Sequence, residues 1–153
     1  MVELIAVMVI MAILAVVSAP KFFDRGIYDS RGFYDEVIST LRYAQKEAIA
    51  QHRLVCVTFP SASRVMLRTA ALFTDTSCNT NLKSPGGRYP ADQTTAALQT
   101  YTVDAPSAVS LSGYADFKFN ALGKPDFTSS EVIQVSGYTA TPITIEAETG
   151  YVR

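Results

Sequence analysis

Few residues in this sequence have the type and spacing for covalent or acid–base chemistry. His52 is the single histidine. It falls where a helical pattern ends, so its cationic form would favour the negative end of a helix. Capping or solvent exposure is expected there rather than proton transfer. Glu146 and Glu148 lie two apart in a strand-like stretch and share one side of it. They could form an acid pair, but exposed charge on an edge strand is the expected arrangement. Cys56 and Cys78 are the only cysteines, and without a patterned histidine beside them they do not make a metal set. There is no glycine-rich phosphate loop, nucleophile elbow or metal-ligand cluster. The chain is therefore expected not to be an enzyme and to carry no cofactor or metal.

The informative charge is Glu3. It precedes the run from Leu4 to Ala19, LIAVMVIMAILAVVSA, which contains no charged residue. As a helix this run is about 24 Å long, somewhat short of a hydrocarbon core of about 30 Å. Met1 and Val2 extend it, and flanking residues can snorkel or the bilayer thin. A cleavable signal peptide or a buried core helix are the alternatives. A signal peptide opens with positive charge and closes on small residues, whereas Glu3 occupies the first position and Pro20-Lys21-Phe22-Phe23 the second. The run is read as a membrane anchor. A carboxylate at the edge of a span costs about 2.5–3.5 kcal/mol on insertion scales, so Glu3 either has a partner or rests at headgroup level.

The rest of the 153 residues suffices for one domain, and a 48% hydrophobic content excludes wholesale disorder. A formal net charge of -1 gives no general attraction to nucleic acid or anionic lipid.

Val2-Glu3-Leu4-Ile5, the apolar run and Pro20 together resemble the N-terminal segment of type IV pilins and type II secretion pseudopilins. The spacing from Glu3 to Pro20 is the one that family shows. The resemblance implies a leader cut by a prepilin peptidase, a methylated new N-terminus, and a glutamate that neutralises the α-amino group of a neighbouring subunit. Opposite charges attract strongly in a low-dielectric filament core, and either one unpaired is costly; Glu3 takes that role by resemblance. The chain departs from the family in having only Met1 and Val2 before the glutamate and no leader. A missing N-terminus accounts for this, and methylation is not assigned to Met1.

Pro20 lacks an amide hydrogen, and Gly26 and Gly32 each lower helix propensity by about 1 kcal/mol. A bend or partial unwinding is expected between Pro20 and Gly32. Helical periodicity then resumes: Phe33, Val37, Leu41, Ala44 and Ala48 form one face, widened by Ile38 and Ile49. After Arg53 the period changes to two. Strands are predicted at Leu54–Phe59, Arg64–Leu72, Gln99–Val103, Ala115–Asn120, Val132–Ser136, Ile143–Ala147 and Tyr151–Arg153, with a long polar loop over Phe73–Thr100. The fold class is thus α+β, a long N-terminal helix packed on an antiparallel sheet. Residues 1–19 are its transmembrane half, 20–53 its kinked and amphipathic continuation, and 54–153 a β-rich head.

The segments Gly32–Asp35, Leu41–Ala48 and Val55–Phe59 resemble minor pilins of the GspH/FimT class, most of all those of mannose-sensitive haemagglutinin systems. Phe119–Pro125 and Ile143–Gly150 fit that class too. The resemblance implies a subunit held in the bacterial inner membrane with a periplasmic head, then built into a filament with other pilin or pseudopilin subunits. In that oxidising compartment a Cys56–Cys78 bridge can persist, contributing about 3 kcal/mol; two unpaired thiols are the alternative. Some FimT-like pilins bind DNA through a C-terminal pair of arginines after a glycine. Here the chain ends Gly150-Tyr151-Val152-Arg153, so only Arg153 remains, and phosphate binding draws on several cations. Nucleic acid is not an expected partner. A major filament subunit and a single-pass membrane protein with a periplasmic sensor domain are further alternatives.

Overall fold

The computed structural model describes residues 2–23, 26–86, 93 and 99–153. Helix α1 spans Val2–Phe23 and helix α2 spans Gly26–Gln51. The strands are β1 (Val55–Ser61), β2 (Arg64–Thr69), β3 (Thr80–Asn81), β4 (Thr102–Asp104), β5 (Leu111–Ser112), β6 (Phe117–Phe119), β7 (Glu131–Val135) and β8 (Tyr138–Ile145).

Helix α2 organises the head because one side of it is apolar at helical spacing. Ser30, Phe33, Tyr34, Val37, Thr40, Leu41, Ala44 and Ala48 are buried. Each large apolar member removed from water contributes about 1.5–3 kcal/mol. The expected face is therefore present, but Ile49 is 44% exposed and polar members complete the stripe. Thr40 Oγ1 donates to the Glu36 carbonyl and lies 3.2 Å from the Tyr101 hydroxyl, which can donate to it, and the Tyr34 hydroxyl bonds Thr141 Oγ1 at 3.0 Å. Tyrosine and threonine enter this core because each polar atom finds a partner there.

The bend or unwinding expected between Pro20 and Gly32 falls across the boundary between α1 and α2, where two residues are not described. Pro20 lies within α1, and α2 is already regular from Gly26 through Gly32; Asp24 and Arg25 lie outside the described residues. The glycine cost of about 1 kcal/mol is smaller than the burial of Phe33 and Tyr34, which fixes α2 on the sheet immediately after Gly32.

All strand pairs are antiparallel, and they form two sheets rather than one. The larger runs β3-β2-β1-β6, with β4 sharing the β2 edge; the smaller is β5-β7-β8. Val55 and Val57 lie opposite Thr69 and Leu67, so alternate residues of β1 and β2 meet the helix. Val103, Phe117 and Phe119 extend this layer, and Leu111, Ile133, Val135, Ile143 and Ile145 supply the second sheet's share of the core. The Ala62–Ser63 turn ties the sheets together, its carbonyls accepting from Leu111 N at 2.6 Å and Ala105 N at 2.7 Å.

Two strands escaped the sequence pattern. β3 falls inside the segment expected to be loop, and β5 has only two residues. Strands this short carry no measurable alternation. Residues 87–92 and 94–98 of the expected loop lie outside the described residues. The predicted terminal strand reduces to one bridge, Val152 opposite Ile145. Among the described residues no helix is long and apolar enough to cross a membrane.

Candidate assembly surface

Two features of the molecule bear on function: the uncovered surface of α1, and the junction that holds the end of the chain on α2. Along α1, Leu4, Ile5, Met8, Ile10, Met11, Ile13 and Leu14 are all between 58% and 67% exposed. Their positions go round the helix rather than along one stripe, so no single contact could cover them. A helix apolar on all sides is stable only when surrounded by lipid or by other helices. Glu3 lies exposed in the first turn of α1, where a carboxylate also interacts favourably with the positive end of the helix. Pro20 sits near the other end.

At the head, α2 reaches over to the closing residues. Arg42 donates from Nε and Nη2 to the Val152 carbonyl at 3.1 and 3.0 Å. Gln45 Nε2 donates to the carbonyls of Thr149 at 2.8 Å and Gly123 at 3.2 Å. Gly123 and Gly150 have φ of 78° and 68°, the left-handed region that glycine occupies without steric cost. A Cβ on Gly150 would strike the Gly123 carbonyl oxygen, and one on Gly123 would meet Ile49 Cδ1 at 2.7 Å. Closure of the chain is thus fastened where helix, β6 turn and C-terminal strap converge. Arg42, Gln45, Gly123 and Gly150 stood in the motifs that carried the resemblance without an assigned role. The one local signal was a glycine at the end of each turn.

The remaining candidates from the sequence separate in space. Cys56 and Cys78 form a disulfide, with Cα atoms 6.0 Å apart. It fastens the loop after β2 to the outer side of β1, where Cys56 lies opposite Arg68 and Lys118. His52 is exposed with φ of 51° and ends α2: Arg53 N donates to Ala48 O at 3.2 Å and His52 N to Ile49 O at 3.4 Å. These two bonds make a Schellman closure with histidine in the position glycine usually fills. Its role is to stop the helix, as the pattern implied.

Glu146 and Glu148 do not form an acid pair, for each faces its own cation. Glu146 Oε1 lies 3.0 Å from Arg153 Nη2, and Glu148 Oε2 accepts from Lys124 Nζ at 2.8 Å. The Lys124 hydrogen bond and charge hold the Glu148 carboxyl below its ordinary value of 4.5. Arg153 is exposed, but its guanidinium already faces a carboxylate. Among the described residues no group of three or more metal-ligating side chains occurs.

No protein-family model matches the chain, and no curated protein matches it. Solved structures do match. The type IV minor pilin FimU of Pseudomonas aeruginosa strain PAO1, in its P21 crystal form, superposes with a TM-score of 0.54 at 12% identity. The match covers 80% of this chain and 85% of that one. The P65 form gives 0.53 at 12% identity, covering 80% and 90% respectively. The minor pseudopilin EpsH from the type 2 secretion system of Vibrio cholerae gives 0.55 at 11% identity, covering 82% and 94%. At these identities the likeness establishes the fold, which is that of type IV minor pilins and minor pseudopilins.

Proposed function

We propose that this chain is a structural subunit of a type IV pilus-like or type II secretion filament, a minor pilin or pseudopilin that assembles through α1. The observation that carries this reading is the pairing of a pilin-fold head with a helix left apolar and exposed on every side. Before assembly α1 rests in the inner membrane, with local thinning offsetting its short apolar length, and the head lies in the periplasm. A prepilin peptidase acts on the precursor. Assembly exchanges lipid contacts for helix–helix contacts. Glu3 then meets the α-amino group of a neighbouring subunit, which favours correct register because an unpaired charge in that core is costly.

The test is quantitative mass spectrometry of filaments sheared from cells that make this protein, including its N-terminal peptide. A processed terminus at low abundance beside another pilin supports the proposal. High abundance would make it the major subunit. A chain left unprocessed in the membrane fraction would refute assembly.

A further inference from the structure

Ile27 and Tyr28 open α2 at 60% and 80% exposure. Ile27 stands at helical spacing on the stripe that buries Ser30, Tyr34, Val37 and Leu41, yet it is uncovered. The head reaches α2 only as far as Ser30. Tyr34 is met by the Tyr138 ring at 4.4 Å and by Thr141 Oγ1 at 3.0 Å, and Gly137 packs against Ser30. The apolar stripe therefore overhangs the β7–β8 turn by one helical turn, on the side from which α1 arrives.

The β7–β8 turn matches that end in character. β7 and β8 pair regularly from Glu131 opposite Ile145 to Ile133 opposite Ile143, and then only at Val135 opposite Tyr138. Residues 139–142 of β8 bow out of the ladder, and they are exposed, as are Ser136 and Gly137. Residues 136–142 carry no charge. The charged neighbours of Tyr28 within α2 are Asp29, which is half-buried, and Arg31, which is exposed.

What meets this end follows from the chain that precedes it. α1 has 22 residues and a length of about 33 Å, against about 30 Å of hydrocarbon. Counted from Glu3 at one surface, about 20 helical residues cross that thickness and bring the chain to Phe23. Ile27 and Tyr28 follow directly, in the headgroup layer of the other surface, which is about 5–7 Å deep. Tyrosine favours that depth because its ring is apolar and its hydroxyl polar. The layer is hydrated, so Asp29 and Arg31 stay solvated in it. We propose that this end of the head docks on the bilayer that holds α1. Ile27 and Tyr28 insert at the boundary of headgroups and acyl chains, and the β7–β8 turn rests on the headgroups beside them. The inference rests on the membrane-anchored reading of α1 and adds a second contact to it. A turn without charge meets the surface with no charge to desolvate. A single span keeps the head near the bilayer but does not choose the face it turns towards the lipid; the second contact does. Extraction into a filament then breaks both.

The chain contains no tryptophan, so single fluorescent reporters test this in the full chain, reconstituted in phosphatidylcholine vesicles. The acyl chains are brominated either near the headgroup or near the methyl end. Ile13→Trp, midway along α1, reads the span and should lose most of its emission to the deep bromines. Tyr28→Trp and Thr139→Trp should lose emission to the shallow bromines and little to the deep ones. Leu122→Trp is 83% exposed beside Gly123, which packs at Ile49 towards the other end of α2; it should keep its emission with either. Adding Ile27→Ser and Tyr28→Ser to the Thr139→Trp chain should abolish the quenching, because those two side chains supply the insertion. Both are exposed, so the head keeps its fold. Quenching of Ile13→Trp without quenching of Thr139→Trp would overturn the docking and leave the anchor standing. Quenching of Thr139→Trp that survives the double serine change would overturn it too. An unquenched Ile13→Trp would refute the anchor, and the docking with it.

Discussion

The junction around Gly150 makes a sharp prediction, because the same substitution should have opposite signs at two glycines. At Gly150 φ is 68°, and an L-residue held there costs about 1–2 kcal/mol. The added Cβ would strike the Gly123 carbonyl oxygen and lie 2.9 Å from Gln45 Nε2 and 3.1 Å from Phe119 Cε1. The carbonyl belongs to a second residue in the left-handed region, so it has little room to retreat. Displacing Gln45 loosens its bonds to Thr149 and Gly123, each contributing about 0.5–1.5 kcal/mol. Gly150→Ala should therefore destabilise the head by about 3 kcal/mol. Gly32 is exposed within α2, and a Cβ there meets nothing within 4 Å. Gly32→Ala should stabilise by up to about 1 kcal/mol. Urea unfolding of the purified chain, followed by far-ultraviolet circular dichroism, measures both. The midpoints should move in opposite directions from wild type. A wild-type midpoint for Gly150→Ala would mean that the strap is not fastened between Gln45 and Gly123, and the account of chain closure would fail.

Other outcomes follow from the same geometry. Replacing both Cys56 and Cys78 by serine should cost about 3 kcal/mol for a loop closed across a separation of 22 residues, read as a lower urea midpoint that dithiothreitol no longer changes. His52→Gly should raise stability by about 1 kcal/mol, since the left-handed closure suits glycine; a loss would show the side chain to be a needed cap. The Glu148 carboxyl is held below 4.5 in the folded chain, so its contribution is complete above that value and disappears as pH falls through the lowered one. Lys124→Met should accordingly remove part of the acid-limb slope of stability below pH 4.5, and an unchanged slope would rule out that linkage. Glu3→Ala should reduce incorporation into sheared filaments while leaving the unfolding midpoint of the head untouched; full incorporation would refute the assembly role of Glu3.

Much of this protein was legible in the order of its residues. The uncharged run after Glu3 dictates an apolar helix whatever follows it, because hydrophobic content is a local property. The spacing of Phe33, Val37, Leu41, Ala44 and Ala48 selected the buried side of α2, and the alternation in Leu54–Phe59 and Val132–Ser136 selected strands. Those patterns repeat within a few residues, which is why they can be read without neighbours. What the chain order could not reveal depends on residues brought together from far apart. Pairing Glu146 with Arg153 requires the strap to fold back on β8, and pairing Glu148 with Lys124 requires the turn after β6 to lie beside it. The left-handed glycines at 123 and 150 have meaning only once Gln45 lies between them. Division of the strands into two sheets turns on backbone pairings between segments such as Arg64–Met66 and Thr102–Asp104, set by shared burial against α2 rather than by any local preference. The irregular pairing of β7 with β8 is likewise a matter of register, since the extra residues of β8 can be recognised only against its partner β7.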